Sequence, residues 1–187
     1  MRCSTGTRIR GRSGQAIRAS RSYTTYFADK DALVRGVIKT QLDRILAAQN
    51  STLSELSSWE GLQRWCEQLM AASRATHGAG GCPLGSLVGE LADGSEAARQ
   101  VLADCFAVWQ SHLSEGFTAM RDRGELTIEA DPDELALTVM SALQGGLLMA
   151  QVTHGERPLE LALNMAFNHV SIYRRRVRRT RPTGGVR

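Results

Sequence analysis

The sequence predicts an all-α protein, on three observations. Apolar residues recur at three- and four-residue steps in successive stretches between residues 30 and 173. No run shows sustained alternation of apolar and polar residues with the period of a strand. Gly, Pro and Asp stand between the stretches, where helices stop and start. With 187 residues, 42% of them hydrophobic and 22% charged, the chain can bury a sizeable core.

The elements follow in order. Residues 1–18 carry no periodic apolar pattern, and Gly6, Gly11 and Gly14 would each cost about 1 kcal/mol relative to alanine in a helix. Their Arg, Ser and Gly bias is what an out-of-frame reading of a GC-rich gene gives, so this stretch is expected to have no fold of its own. From Lys30 onward, Ala32, Leu33, Val37, Ile38, Leu42, Ile45 and Leu46 share one face of a helix of about 20 residues, with Asp29 and Asp31 at its positive end. Leu62, Trp65, Cys66, Leu69, Met70 and Ser73 repeat the stripe up to Gly78. The glycine-rich segment 78–85 reads as a loop, with Pro83 opening a short helix. A phosphate-binding loop is excluded there, because no Gly-Lys-Ser/Thr follows and no strand precedes.

Ser95 to Arg123 is the longest periodic run, with Ala98, Val101, Leu102, Cys105, Trp109, Leu113, Phe117 and Met120 in one seam that Gly124 ends. At 1.5 Å per residue it makes a spine on the order of 40 Å long. Asp131-Pro132-Asp133-Glu134 predicts a helix start, with Asp131 as N-cap, Pro132 at the first position and Glu134 completing a capping box. The uncharged run from Leu135 to Gly155 is long enough to raise a membrane span. Thr138, Ser141, Gln144, Gln151 and the Gly145-Gly146 pair make it too polar for one, and a buried helix at a subunit interface is expected instead. Pro158 opens the last helix, on which Leu159, Leu163, Ala166, Phe167, Val170 and Tyr173 share a face.

Charge divides the chain. The formal net charge is +4, but six arginines and no acid lie in residues 1–27, and seven arginines and no acid lie in residues 174–187. All 19 acids therefore sit in the body with the ten remaining basic residues. Contact with nucleic acid through counterion release belongs to the termini, and the body would be repelled. The final arginine run also reads as a solvated tail.

The four cysteines, Cys3, Cys66, Cys82 and Cys105, form no Cys-x-x-Cys pair, and no secretory signal precedes them; reduced thiols in the cytoplasm are expected. Cys66 and Cys105 read as small core residues. A redox role for Cys82 requires exposure and a depressed pKa. His77, His112, His154 and His169 are scattered, with no His-Glu-x-x-His, Gly-x-Ser-x-Gly or metal-ligand spacing. An enzyme is not expected, and neither a catalytic residue, a metal nor a cofactor is assigned.

The segment Ser20-Arg21-Ser22-Tyr23-Thr24-Thr25-Tyr26-Phe27-Ala28-Asp29-Lys30-Asp31-Ala32-Leu33 resembles the end of the helix-turn-helix of TetR-type regulators. In that family a recognition helix closes on a Tyr-Phe-like pair and a Lys-x-x-Leu step opens the long linking helix. Gly81-Cys82-Pro83-Leu84-Gly85, Gly89-Glu90-Leu91-Ala92-Asp93 and Leu143-Gln144-Gly145-Gly146-Leu147 resemble one branch of the family's C-terminal domains. The resemblance covers roughly residues 19–173. It implies a TetR-like bundle with a helix-turn-helix region at 1–40, a ligand-binding and dimerisation domain at 41–173 and a basic tail at 174–187. Residues 1–22 are too few for the two helices the family places ahead of the recognition helix, so the head is expected to be incomplete.

The resemblance assigns phosphate contacts to Thr24 or Tyr26 and to Lys30, puts Arg21 and Ser22 near base edges, and makes Ser20, Tyr23 and Thr25 part of the same DNA-facing segment. The alternative for these residues is a short solvated helix that packs Phe27 on the body. The resemblance implies a homodimer that reads a palindrome with heads about 34–36 Å apart and releases it when a small effector favours another spacing. The implied pocket lies among Trp65, Met70, Leu84, Leu87, Phe106, Trp109 and Leu147, with Gln144, His112 or Ser86 orienting an apolar or aromatic ligand. The same residues are equally types that fill a core. The dimer seam is expected on the last two helices, where Ala142, Gly145, Gly146 and Ala150 permit close approach and Met149, Leu163, Phe167 and Val170 supply area. The small residues alternatively serve packing within one chain. A ligand-binding dimeric module without specific DNA binding is the second reading.

Overall fold

Six helices follow one another in the computed structural model, which describes the backbone of residues 15–175 and side chains from residue 30 onward. They are α1 (Gln15–Leu53), α2 (Trp59–Ala75), α3 (Pro83–Leu91), α4 (Glu96–Asp122), α5 (Pro132–Thr153) and α6 (Arg157–Ile172). Among the described residues the one β-type pairing outside helices is an isolated antiparallel bridge between Leu126 and Arg174. The all-α expectation is met.

Caps set most of the boundaries. Ser58 Oγ accepts from the Gly61 backbone N–H at 3.0 Å and starts α2, and Ser95 Oγ accepts from Ala98 at 3.2 Å and starts α4. Asp131 Oδ1 accepts from both Asp133 and Glu134, at 2.9 and 3.2 Å, and Pro132 follows in the first turn of α5. Among the described residues Glu134 makes no reciprocal bond, so the cap is the aspartate alone and not the expected box. Gly124, with φ +73°, closes α4.

α1 departs from expectation. It is 39 residues long and runs unbroken through 27–30, where a turn between two helices was expected. One reason is local: neither Gly nor Pro, the two strong helix breakers, occurs from Gln15 to Arg35. Asp29 and Asp31 thus lie inside the helix, and its first turn holds no acid. Residues 15–18, expected to be irregular, belong to it. The division expected at residue 40 falls in its middle.

α4 is the spine. Ala98, Leu102, Cys105, Trp109, Leu113, Phe117 and Met120 are buried along it at the predicted steps. Gly116 lets α4 close on the turn between α1 and α2, since a Cβ there would lie 2.6 Å from the Leu56 carbonyl oxygen. α5 and α6 share the most extensive helix contact, at Gly146, where a Cβ would lie 2.9 Å from that of Ala162. Past α6 the chain is tied back: Thr127 N–H donates to Tyr173 O, and Arg175 N–H to Glu125 O, each at 2.8 Å. The Arg174 guanidinium lies 4.7 Å from the centre of the Trp59 ring. The expected basic tail therefore begins with two fixed residues; 176–187 lie outside the described residues.

Candidate functional site

A partly open cavity of about 220 Å³, the inner cavity, lies where α1, α2, α4 and α5 meet the α2–α3 loop. Ile45 and Gln49 of α1, Leu69 and Ser73 of α2, Trp109 of α4 and Leu147 of α5 line it, with the α2–α3 loop as its remaining wall. The loop can turn so tightly because His77, Gly78, Gly80 and Gly81 all adopt positive φ. No charged side chain lines this cavity. Beside it, Gln49 Oε1 accepts from the Trp65 indole N–H at 2.7 Å. Trp109 Nε1 and Ser73 Oγ are buried with no hydrogen-bond partner.

A second, more open cleft of about 510 Å³ lies between α3, α4 and α5. Val88, Phe106 and Leu148 make it apolar, and Ser86, Gln144 and Gln151 supply polar groups. Cys82, the residue before α3, lines both spaces. Phe106 of the cleft and Trp109 of the inner cavity stack with ring centres 6.5 Å apart. Burial pushes the Cys82 thiol above its ordinary range, against the lowering effect of Gly85, Leu84 and Gln144 hydrogen bonds. A buried, protonated thiol does not meet the two requirements of a redox role.

The expected pocket residues do not converge on one space. Trp109 and Leu147 line the inner cavity, while Phe106, Gln144 and Ser86 line the outer cleft. Met70 faces a groove between α2 and α6 that it shares with Leu163 and Phe167, and His112 lines another beside α1. Trp65 and Leu84 are wholly buried in the core, and Leu87 packs against it. One helical step separates a residue that fills the core from one that lines a cavity, and stripe membership does not distinguish them. Gln49, Ser73, Gly81 and Cys82 were not anticipated. Their signal was a polar residue on an apolar stripe: Gln49 continues Leu42 and Ile45, and Ser73 continues Leu69 and Met70.

The expected dimer residues divide likewise. Gly146, Ala150, Leu163 and Val170 are buried inside the protomer, and Ala142 and Phe167 are half-buried. For Gly146 the close approach is to Leu159 and Ala162 of α6, so it serves packing within the chain. Gly145 and Met149 are exposed. Leu137, Leu148 and Val152 of α5 and Leu161, Met165 and Ile172 of α6 are also exposed large apolar residues, recurring at helical spacing so that each helix carries an outward apolar stripe. α5 is long and apolar enough to cross a membrane, with mean hydropathy 1.5. Its other face, however, packs on α4 and α6, which leaves a single apolar side.

Ser20, Arg21, Ser22, Tyr23, Thr24, Thr25 and Tyr26 lie on the first half of α1, and their side chains lie outside the described residues. Lys30, the last of the expected DNA-facing set, is exposed.

Residues 58–165, from the cap of α2 into α6, match the family model described as the C-terminal domain of LmrA/YxaF-like transcriptional regulators. The chain belongs to the TetR-type transcriptional regulators. A similar curated protein is the HTH-type transcriptional repressor DhaR of Mycobacterium sp. (strain GP1), 24% identical, with 87% of this chain and 86% of that protein covered. The crystal structure of regulatory protein TetR from Rhodobacter sphaeroides superposes with a TM-score of 0.68 at 21% identity, over 79% of each chain, and shows the shared fold. In this TetR-type regulator the matched region holds all of α2 to α5, and so most of the walls of the inner cavity and the outer cleft.

Proposed function

We propose that this TetR-type regulator is a cytoplasmic homodimeric repressor whose operator binding is released by a small effector held in the inner cavity. The observation that carries this reading is that α5 has two faces: Leu147 lines the cavity, while Leu148, Met149 and Val152 belong to the exposed apolar stripe. A monomer that left this stripe in water would expose contiguous apolar surface, which soluble proteins rarely do, and a two-fold contact of α5 and α6 with a partner's pair covers it. An effector then acts only through its different affinity for the DNA-binding and released arrangements. DNA contact falls to residues 20–26, in the acid-free N-terminal stretch, and to Lys30 just beyond it, as the family resemblance assigns it.

The test is whether the purified chain shifts its own upstream DNA at physiological salt while a variant lacking residues 1–29 does not. One observation favours a second reading, a dimeric ligand-binding module without specific DNA binding. α1 continues as helix through the segment where a recognition helix and a linking helix should part. Absence of a shift with either protein supports that module.

A further inference from the structure

The groove between α2 and α6 measures about 380 Å³ and shares no lining residue with the inner cavity or the outer cleft. We propose that it docks a segment of the chain's own C-terminal tail, residues 176–181, through the arginines of that segment.

The starting point of the tail is fixed. Tyr173 and Arg175 are tied to the α4–α5 connection by Thr127 and Glu125, and the Arg174 guanidinium sits 4.7 Å from the centre of the Trp59 ring. Trp59 in turn meets Phe167 edge to face, with ring centres 5.7 Å apart, and Phe167 lines the groove. One aromatic ring thus separates the anchored Arg174 from the groove. From Trp59 to Met70 α2 rises about 17 Å, and six extended residues reach about 20 Å. Residues 176–181 are long enough to follow the groove as far as Met70.

Charge selects this segment. Residues 176–181 read Arg-Val-Arg-Arg-Thr-Arg and hold no acid. Along the groove stand Glu67 of α2, which is exposed, and Glu160 of α6, which is half-buried. Glu160 pairs with Arg157 at 2.8 Å, and Arg74, at the far end, lies 3.6 Å from Glu156. Glu67 accepts from the Gln63 amide at 3.1 Å and has no cationic partner among the described residues. Between these rims Cys66, Met70, Leu163 and Phe167 form an apolar floor that suits Val177 and the arginine stems. An exposed ion pair is weak in isolation, but a tethered segment acts at an effective concentration on the order of millimolar, where weak contacts suffice. The exposed stripe of α6, at Leu161, Met165 and Ile172, lies on a neighbouring face, so docking and the proposed dimer contact draw on different residues.

The experiment uses the full chain carrying Val177→Cys, oxidised with diamide at low ionic strength, with Cys66 in the groove floor as reporter. Peptide mass spectrometry is expected to find an intrachain disulfide between position 177 and Cys66. Glu67→Lys together with Glu160→Lys is expected to slow its formation roughly fivefold or more, the effect of two exposed ion pairs, and salt at about 0.5 M to slow it likewise. The direction is diagnostic: Glu67 holds the Cys66 thiol up, so its loss alone would speed the reaction. A rate that charge reversal and salt leave unchanged reports a solvated tail meeting the groove by tether alone, and overturns the proposal. So does the absence of a disulfide at Cys66, or one that joins two chains and assigns the groove to a partner's tail.

Discussion

The Trp65 indole N–H on α2 donates to Gln49 Oε1 on α1 at 2.7 Å, and both side chains are buried. The bond joins two helices beside the inner cavity. Gln49→Leu orphans the indole nitrogen and is expected to cost about 1–3 kcal/mol. Adding Trp65→Phe should return part of that loss, because no donor is then left unpaired. Urea unfolding of the two single variants and the double variant measures the coupling.

Gly145 and Gly146 are neighbours with opposite environments. Nothing lies within 4 Å of a Cβ at 145, whereas one at 146 meets Ala162 and Leu159 at 2.9–3.1 Å. Gly145→Ala is expected to stabilise the protomer by up to about 1 kcal/mol through helix propensity. Gly146→Ala is expected to destabilise by about 1–3 kcal/mol through overpacking against α6. Thermal unfolding of both variants decides it, and equal shifts would contradict the α5–α6 geometry.

The apolar stripe predicts the oligomeric state. Leu148 is 60% exposed and Met165 64%, so Leu148→Glu and Met165→Glu should leave the helical content of circular dichroism unchanged. Light scattering should nevertheless report a monomer for the pair of substitutions and a dimer for the unaltered chain. A monomeric unaltered chain at high concentration would remove the proposed dimer.

Burial, with the Glu67 carboxylate beside it, pushes the Cys66 thiol up from 9.0 to about 11. The folded state holds this proton more tightly than the unfolded chain, so its contribution is complete below pH 9 and declines as the pH rises towards 11. The stability difference between the unaltered chain and Cys66→Ala should narrow over that interval, as followed by urea unfolding at fixed temperature.

Asp131 caps α5 through two backbone N–H groups. Asp131→Ala is expected to cost about 0.5–2 kcal/mol, and Asp131→Asn much less, because asparagine still offers an oxygen. Thermal denaturation of the two variants separates loss of the cap from loss of charge.

Element order was legible because Ser95, Asp131-Pro132, Pro83 and Gly124 carry their boundaries in their own chemistry. The spine from Ala98 to Met120 was legible because 3.6-residue periodicity survives along 27 residues. The junction in α1 was misread, since a motif's usual turn was expected where the local residues favour continuous helix. The expected dimer residues divide between core and surface for another reason. Small and apolar residues on α5 and α6 serve two packings, and Gly146 and Gly145 differ only in which helix face they occupy. Ser73 and Trp109 were visible as types, but their lack of partners is a property of three dimensions.

Gly78 lies so near the Ala150 carbonyl that a Cβ there would be 2.6 Å from the oxygen, and Gly81 approaches Gln151 to 2.4 Å by the same measure. Thus the α2–α3 loop and the tail of α5 are braced on each other, backbone on backbone at Gly78 and backbone on the Gln151 side chain at Gly81. The same tip of α5 carries the outward greasy strip at Val152, so under the proposed function occupancy beneath that loop and subunit posture would share a single mechanical joint.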